Sequence, residues 1–241
     1  MYKETHLRSI LKTISWRFWA TLTTTVLVFI FIGEIGLAVS IGLVEVVIKM
    51  LIYFLHERAW GAIKFGRVEI KPMVIWITGL ARSGKSEIGE KLTALLKKKG
   101  LKAEHLDGHT IRNLFPETGF SRQEVNEHIK RVGLLAKKLE EQGVFVVASF
   151  LSPYKESREF VRKLVDGYYE VHISTPVEVC EARDDKGIYK KARQENLPNF
   201  PGVTVKYDLP EKPDLEIDTT SLSTDDAADK IFVNLDGRIK L

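Results

Sequence analysis

A short run of small and polar residues has the composition of a phosphate-binding loop. Gly79 and Gly84 are separated by four residues, and Lys85 and Ser86 follow directly. In such a loop, backbone N–H groups bind phosphate oxygens, the lysine neutralises the β and γ oxygens, and the serine hydroxyl binds Mg²⁺. The loop therefore predicts a bound nucleoside triphosphate with Mg²⁺, and the longer motifs described below make ATP the expected nucleotide. The residues that we expect to contact the nucleotide are Gly79, Ala81, Arg82, Ser83, Gly84, Lys85 and Ser86.

The stretches on either side of the loop fit the elements that must position it. An apolar run at 73–78 predicts a strand, and an amphipathic stretch at 86–99 predicts a helix. This context argues against a chance match in a glycine-rich turn. Strand and helix patterns then alternate, which predicts an α/β fold of the P-loop NTPase type, a parallel sheet with helices on both faces. Further strands are predicted at 101–106, 144–150, 168–173 and 214–217, and further helices at 122–142, 155–165, 176–183 and 223–235.

Asp107 is the candidate acid of the site. It ends the second predicted strand, and ligands of parallel sheets bind beyond the carboxyl ends of the strands. A carboxylate there could hold Mg²⁺ through water or accept the proton of an attacking hydroxyl. It could also merely cap the next helix. We therefore predict that Ser86 and Asp107 form the metal site, and that Asp107 is catalytic.

Longer motifs beyond the loop carry a family resemblance. The run at 175–193 is far more specific than a phosphate loop, and the chain from about residue 74 to 219 resembles adenylylsulfate kinase. That family uses ATP to phosphorylate the 3′-hydroxyl of adenosine 5′-phosphosulfate (APS). The other matching motifs are Leu106-Asp107-Gly108, Gly119-Phe120-Ser121, Ser152-Pro153-Tyr154, Asn199-Phe200-Pro201-Gly202 and Tyr207-Asp208-Leu209-Pro210.

The resemblance implies an ATP-dependent kinase of sulfate assimilation. It implies that Arg183 and the segment 186–191 form a mobile lid over the transferring phosphoryl group, although these charges alone could be a solvated cluster. Phe120 and Phe200 would sandwich the acceptor's adenine, although either could be core packing. The implied catalytic residues are Lys85, Asp107, Arg183 and Lys186. The implied acceptor-binding residues are Arg112, Phe120, His128, Ser152, Lys191 and Phe200.

Three acceptor-side positions depart from the family pattern. His109 stands where the family usually has a second Asp, Val125 where it has an acceptor-binding Arg, and His128 where it has Asn. Replacing Arg by Val removes a bidentate anion clamp. The acceptor could therefore be APS or another small nucleotide-like hydroxyl compound. A membrane-tethered ATP sensor without transfer activity is a third interpretation.

Residues 1–65 have the pattern of a two-helix membrane hairpin. The first apolar run, 18–33, has sixteen uncharged residues and would span about 24 Å, short of the ~30 Å hydrocarbon core. The second, 35–55, contains Glu45 and Lys49, which can pair on one helical face toward the partner helix or another subunit. A signal peptide fits poorly because no cleavage site intervenes. A soluble hairpin used for dimerisation stays an alternative.

The same region resembles a family of small predicted two-helix membrane domains of unknown function. The matching residues lie at 6–9, 12–17 and 45–49. The resemblance implies only that this region lies in a membrane. It leaves open whether the protein forms a homodimer. We divide the chain into the hairpin, a linker at 66–72 and a kinase domain at 73–241.

Charge distribution gives an orientation and excludes one class of partner. Basic residues flank the hairpin on both sides, and the turn at 33–36 has none, so we expect both ends and the kinase domain on the cytoplasmic side of the inner membrane. The net charge of +4 lies entirely in residues 1–71. The remainder has no positive excess for nucleic acid. The single cysteine, Cys180, excludes an intramolecular disulfide.

Overall fold

The computed structural model describes residues 2–4, 6–30, 35–63, 65 and 67–239. The chain forms two compact units, Met1–Ile70 and Lys71–Leu241, so the division falls inside the predicted linker. We call them the N-terminal and C-terminal units. The predicted turn at 33–36 lies partly outside the described residues, as does the first residue of the linker.

The N-terminal unit contains the predicted helix pair and a small sheet. Helix α1 is His6–Ile30 and helix α2 is Ile35–Ala62. Strands β1, Tyr2–Glu4, and β2, Arg67–Glu69, pair antiparallel. Part of the predicted linker is therefore a strand. Three-residue strands that pair across such a sequence distance leave no periodic signal to predict them.

Polar contacts join the two long helices. The Thr24 hydroxyl of α1 donates a hydrogen bond to a Glu45 carboxylate oxygen of α2 at 2.9 Å. Glu45 also forms an ion pair with Lys49, as the four-residue spacing predicts. The sequence left open whether this pair faces the partner helix or another subunit. The Thr24 contact shows that Glu45 faces α1.

The buried Arg8 holds the end of α2. Its guanidinium donates to the carbonyls of Ile63 and Phe65, each at 2.7 Å, and to that of Trp60. These are carbonyls at or just beyond the last turn of a helix, which have no partner within the helix itself. Arg8 therefore fixes where the second helix stops.

Many large apolar side chains of the two helices are exposed. Among them are Leu7, Ile10, Ile14, Phe18, Trp19, Val47, Met50, Leu51, Phe54 and Leu55. In the part of the chain that the structure describes, no helix is long and apolar enough to cross a membrane. The two spans inferred from the sequence stay a prediction.

The C-terminal unit is built on a five-stranded parallel sheet. The strand order is β4-β5-β3-β6-β7, so the strand that leads into the phosphate loop is central. The strands, each within two residues of its predicted bounds, are β3, Val74–Gly79; β4, Ala103–Asp107; β5, Phe145–Ser149; β6, Tyr168–Ile173; and β7, Leu215–Ile217.

Helices cover both faces of this sheet. Trp76 of β3 packs in one core cluster with Ile129 and Val161, while its neighbours Ile75 and Ile77, which point to the opposite face, are also fully buried. The helices are α3, Lys85–Lys98; α4, Gly108–Leu114; α5, Arg122–Glu141; α6, Lys155–Leu164; α7, Val177–Ala182; α8, Ile188–Gln194; and α9, Thr224–Ile239. The predicted P-loop α/β fold is confirmed, but the short helices α4 and α8 were not predicted.

Candidate active site

The phosphate loop joins the central strand to α3, and its two glycines have conformations that other residues adopt poorly. A Cβ at Gly79 would lie 2.5 Å from the carbonyl oxygen of Ile173 on the neighbouring strand. Gly84 precedes α3 with φ +93°, in the left-handed region. The glycine spacing therefore serves the backbone geometry, which lets the loop lie close to the sheet and open onto a helix N-terminus.

Lys85 lies buried within the loop. Its ammonium donates to the Leu80 carbonyl at 2.5 Å and to the Ser83 hydroxyl at 3.3 Å. Burial lowers the pKa of Lys85 from 10.5 to about 8. Neutral hydrogen-bond partners thus hold the charge beside the loop amides, where it can bind phosphate oxygens.

The Asp107 carboxylate has two roles, one for each oxygen. Oδ2 accepts a hydrogen bond from the Ser86 hydroxyl at 2.5 Å. Oδ1 accepts from the backbone amides of His109 and Thr110, at 3.0 and 3.1 Å, and caps α4. Burial acts to raise the pKa of Asp107, but these hydrogen bonds outweigh it and lower the pKa below the ordinary value. The capping and the metal-binding interpretations are therefore compatible.

Ser86 and Asp107 are suited to share a magnesium ion with a nucleotide. Within the described residues, no group of three or more His, Cys, Asp or Glu side chains could hold a metal ion. Magnesium in nucleotide sites is commonly bound through one or two protein oxygens, phosphate oxygens and water. The ionised Asp107 and the Ser86 hydroxyl are oxygen ligands of this kind, so the residues present fit the ion.

One cavity of about 580 Å³ opens on the side of the loop near Arg183, and we call it the donor cavity. The Arg183 guanidinium donates to the hydroxyl and the carbonyl of Thr219, at 2.9 and 2.6 Å. The Thr219 hydroxyl donates to the carbonyl of Ser83 in the loop at 3.2 Å. Sequence reasoning gave no role to Thr219. The donor cavity is lined by Arg82, Gly84, Lys85, Ser86, Glu87, Arg183, Thr219, Leu222, Ser223 and Thr224.

A second cavity, of about 540 Å³, lies on the other side of Lys85 and Ser86, and we call it the acceptor cavity. It brings most of the predicted catalytic and acceptor-binding residues together. Lys186 lines this cavity and Arg183 lines the other, so the structure separates two cations that the resemblance placed in one lid. The predicted site residues that line the acceptor cavity are Ala81, Arg82, Lys85, Ser86, Asp107, Arg112, Phe120, His128, Ser152, Lys186 and Phe200.

Lys191 lies apart from this group. It lines an adjoining cavity of about 550 Å³ that also contacts Phe120 and Phe200. Its ammonium pairs with Glu195, directly after the end of α8, at 3.9 Å. Of the predicted acceptor-binding residues, it is the one that the structure places outside the acceptor cavity.

Arg112 supports the exposed ring of Phe120. Its guanidinium donates to the carbonyls of Thr118 and Gly119, at 3.0 and 2.6 Å, and its Cζ lies 4.0 Å from the centre of the Phe120 ring. Phe120 itself is 64% exposed, so it is not a core residue. A rigidly backed aromatic face at a cavity wall is suited to stack on a flat ring.

The three residues that depart from the family pattern give this cavity little positive charge. His128 is buried between the rings of Phe115 and Phe150, and its Nδ1 has no hydrogen-bond partner. Burial, Arg112 and Arg131 all lower the pKa of His128, so its imidazole is neutral near pH 7. Val125 lines the same cavity, and His109 is exposed at its edge.

The hydroxyl of Ser152 is already used inside the protein. It accepts a hydrogen bond from the indole N–H of Trp76 at 3.1 Å and is bonded to the Thr78 hydroxyl at 2.8 Å. Ser152 is 2% exposed and has φ +34°. Ser152 therefore shapes the cavity floor, and a contact with an acceptor would come from its backbone. These inward bonds leave no signal in the sequence.

Tyr189 and Asp184 connect the charged segment to the phosphate loop, which sequence reasoning missed. The fully buried Tyr189 hydroxyl donates to the Ala81 carbonyl at 2.8 Å. Asp184 pairs with Arg82 at 3.5 Å and accepts from the Tyr189 backbone amide at 2.7 Å. Both residues lie within the long family motif, but nothing in the motif reveals these partners.

Together these features define a class of protein. A phosphate loop at the end of a central parallel strand, an acid bonded to the loop serine and two cavities that meet at Lys85 are the parts of a nucleotide-dependent phosphotransferase. The donor cavity can hold a nucleotide, and the acceptor cavity can present a hydroxyl to its terminal phosphate.

Comparisons with known proteins give the family. Residues 71–218 match the family model described as "Adenylylsulphate kinase". The adenylyl-sulfate kinase of Thermodesulfovibrio yellowstonii is 42% identical over 174 residues, which cover 71% of this chain and 87% of that one. The chain belongs to the adenylylsulphate kinase family.

Solved structures agree with this assignment. The Mycobacterium tuberculosis APS kinase in complex with AMPPNP and APS superimposes with a TM-score of 0.66 at 33% identity, covering 70% of this chain and 99% of that one. A hexameric APS kinase from Thiobacillus denitrificans has a TM-score of 0.55 at 26% identity, covering 76% of this chain and 32% of that one. Residues 10–61 match a separate model described as "Predicted membrane protein (DUF2061)".

Proposed function

We propose that this chain is an ATP-dependent kinase that transfers the γ-phosphoryl group to the 3′-hydroxyl of APS, a step of sulfate assimilation. The observation that supports this most is the acceptor cavity, in which Lys85, Ser86 and Asp107 share one space with Phe120 and Phe200. The phosphate-binding groups and the aromatic walls for an adenine thus lie together. The name and the bound APS of the relatives support the choice of acceptor.

Catalysis would be mainly positioning and charge neutralisation, as in other phosphoryl transfers. Lys85 would bind the β and γ oxygens, and Lys186 would neutralise charge on the transferring group from the acceptor side. Ser86 and Asp107 would hold magnesium, which neutralises charge on the phosphates when bound. Asp107 would also orient or deprotonate the attacking hydroxyl.

Arg183 has a different role in this proposal. Its guanidinium is held by two hydrogen bonds to Thr219 and lines the donor cavity, so it would bind the nucleoside part of ATP by stacking. A planar cation held by two hydrogen bonds loses little further freedom on binding. We therefore assign Arg183 to ATP binding and Lys186 to the transfer itself.

The test is ADP release by the full-length protein in detergent, with and without APS. We expect multiple turnovers that saturate with APS and that Lys85→Ala abolishes. Binding of ATP without turnover on any acceptor would instead support the sensor interpretation. The sensor interpretation is motivated by His109, which stands where the family usually has a second acid.

A second candidate function is the same transfer to a different small nucleotide-like hydroxyl compound. Val125 favours it, because replacing the family's Arg removes a positive charge from the cavity that must hold the acceptor's anionic groups. The buried His128, whose Nδ1 has no hydrogen-bond partner, changes the same cavity where the family has Asn. Efficient, saturable phosphorylation of APS by the wild-type protein would contradict this candidate. A panel of nucleotides and nucleosides assayed for ADP release would identify the alternative.

A double variant sharpens the choice between the two acceptors. Val125→Arg with His128→Asn restores the family residues at both positions. If APS is not the natural acceptor, we expect the KM for APS to fall at least about tenfold, since a bidentate anion contact is regained. An unchanged or higher KM for APS would favour APS as the natural acceptor of the wild type.

We also propose that the N-terminal unit anchors the kinase unit to the inner membrane, with both ends of the hairpin cytoplasmic. Support comes from the predicted membrane family match, the exposed apolar side chains and the flanking basic residues. A full-length protein that stays in the supernatant after high-speed centrifugation without detergent would refute the anchor. Mass measurement in detergent would show whether the kinase is a homodimer or, like one relative, a hexamer.

A further inference from the structure

The segment 184–200, which we call the lid segment, contacts the phosphate loop and the acceptor cavity at the same time. Lys186, Ile188 and Phe200 line the acceptor cavity. Between them, the Tyr189 hydroxyl donates to the carbonyl of Ala81 in the loop at 2.8 Å. The Tyr189 ring also packs edge-on against Phe200, with ring centres 5.2 Å apart. One side chain therefore bridges a wall of the acceptor site and the backbone that binds phosphates.

A second contact reinforces this bridge. The Asp184 side chain is 3% exposed, and it both pairs with Arg82 and accepts a hydrogen bond from the Tyr189 backbone amide. Arg82 also pairs with Asp185 at 2.5 Å. Arg82 has φ +63°, a left-handed conformation that a non-glycine residue keeps only when its surroundings hold it. The lid segment is thus among the contacts that hold the loop at residues 81 and 82.

We propose that Tyr189 is a positioning residue that couples acceptor binding to ATP binding, because its hydroxyl links the lid segment to the phosphate loop through Ala81. This inference rests on the proposed function and adds a way in which the binding of the two substrates is regulated. Tyr189 itself lines neither the donor cavity nor the acceptor cavity. An acceptor bound against Lys186, Ile188 and Phe200 holds the lid segment in place and thereby the loop, and ATP bound to the loop holds the lid segment in return.

Coupling of this kind is reciprocal. If the acceptor raises the affinity for ATP by some factor, ATP raises the affinity for the acceptor by the same factor. A single hydrogen bond corresponds to a factor of about five. Segments that close over a site are drawn from the less stable parts of a protein, so one such bond can decide how often the lid segment is closed.

The variant that tests this is Tyr189→Phe, which keeps the ring and its packing against Phe200 and removes the hydroxyl. The matched control is Tyr169→Phe. Tyr169 is also fully buried, and its hydroxyl donates to Asn234 on α9 at 3.0 Å, away from both cavities. Asp184→Asn is a second variant, which keeps the shape of the side chain and weakens its pairing with Arg82.

The first measurement does not depend on which acceptor is correct. Hydrogen exchange of residues 184–200 is followed in the full-length protein with and without AMPPNP, a non-hydrolysable ATP analogue. In the wild type and in Tyr169→Phe, we expect the analogue to slow exchange in the lid segment. In Tyr189→Phe and Asp184→Asn, this protection should be largely lost while the analogue still binds.

The second measurement is the dissociation constant of AMPPNP with and without saturating APS, by calorimetry. We expect APS to lower the dissociation constant of the analogue severalfold in the wild type, and this ratio of dissociation constants to fall about fivefold in Tyr189→Phe. A wild type that neither binds nor phosphorylates APS would contradict the proposed function alone. An active wild type whose lid protection and affinity ratio are retained in Tyr189→Phe and Asp184→Asn would overturn the coupling role.

Discussion

The two cavities that meet at Lys85 are built differently. On the donor side the polar groups are bonded within the protein: Lys85 to the loop and Arg183 to Thr219. On the acceptor side, Asp107, Arg112 and Ser152 are bonded as well, but Phe120 is exposed and the buried His128 has an unbonded ring nitrogen. The protein thus prepares its own phosphate site in advance, and it leaves part of the acceptor site to be completed by the acceptor.

The largest expected effect tests the prepared side. Lys85→Ala removes the cation beside the transferring phosphate and should lower kcat/KM by roughly a thousandfold. Its melting temperature should not fall, because the variant also removes a charge that is costly to bury. Lys138→Ala, which removes an exposed lysine paired with Glu141, is the control. A loss below about tenfold would show that the loop amides alone carry phosphate binding.

Asp107→Asn separates the two roles of that carboxylate. The amide oxygen can still accept hydrogen bonds from the His109 and Thr110 amides, so the cap of α4 and the stability should be kept. The negative charge is lost, and kcat should fall by about a hundredfold or more.

Asp107→Ala is the companion variant for this test. It should show the same loss of kcat and, in addition, a free energy of unfolding lower by about 1 kcal/mol, because the cap is lost too. Full activity in the Asn variant would mean that Asp107 serves only as a cap. Chemical denaturation and steady-state kinetics measure the two quantities separately.

The same contrast explains what could be predicted from the sequence. The phosphate loop, Asp107 and the sheet around them follow from a short motif and from apolar periodicity, since their geometry is local. Most of the predicted acceptor residues also came together, because the family motifs lie on loops at one edge of the sheet.

What the sequence did not predict depends on contacts between distant segments. Thr219 bonds to Ser83 across 136 residues, and Tyr189 bonds to Ala81 across 108. A hydroxyl gives no sign in sequence of whether it faces a cavity or the core, and the family motif that implied an acceptor contact for Ser152 does not reveal its bonds to Trp76 and Thr78. The short helices α4 and α8 are too brief for apolar periodicity to reveal them.

A pH profile probes the donor side without a mutation. Since the pKa of Lys85 is about 8 in the free protein, kcat/KM for ATP should fall about tenfold per pH unit above that value as the ammonium loses its proton. Bound phosphates favour the charged form, so kcat at saturating ATP should stay level between pH 8 and 9. A parallel fall in both would point to a different titrating group.

Stability should change in the opposite sense over the same range. Unfolded Lys85 keeps its proton up to about pH 10.5, so the unfolded state binds more protons between about pH 8 and 10.5. The free energy of unfolding of the nucleotide-free protein should therefore rise across this window relative to Lys85→Met. An identical pH dependence in the variant would contradict the depressed pKa.

The smallest expected effects come from two helix caps, one on each side. Ser121 caps α5, which carries Val125 and His128, while the Ser223 hydroxyl accepts from the Asp226 amide at 3.1 Å and lines the donor cavity. Changing either serine to Ala should cost about 1 kcal/mol of stability. Ser121→Ala should raise the KM for the acceptor more than that for ATP, and Ser223→Ala the KM for ATP more than that for the acceptor. If both variants changed both KM values equally, the two caps would not act on separate cavities.

The pairing of β1 with β2 has a consequence for how such a protein could arise. Tyr2 lies opposite Glu69 and Glu4 opposite Arg67, so the peptide enters and leaves the N-terminal unit side by side. Arg8 closes the same end by binding the carbonyls at and beyond the last turn of α2. A unit whose first and last strands pair with each other can be fused to another domain as a whole. Such a fusion needs no particular distance between the points of attachment. The same closure marks the junction at residues 70 and 71 as the place to cut when the two halves are to be exchanged with relatives.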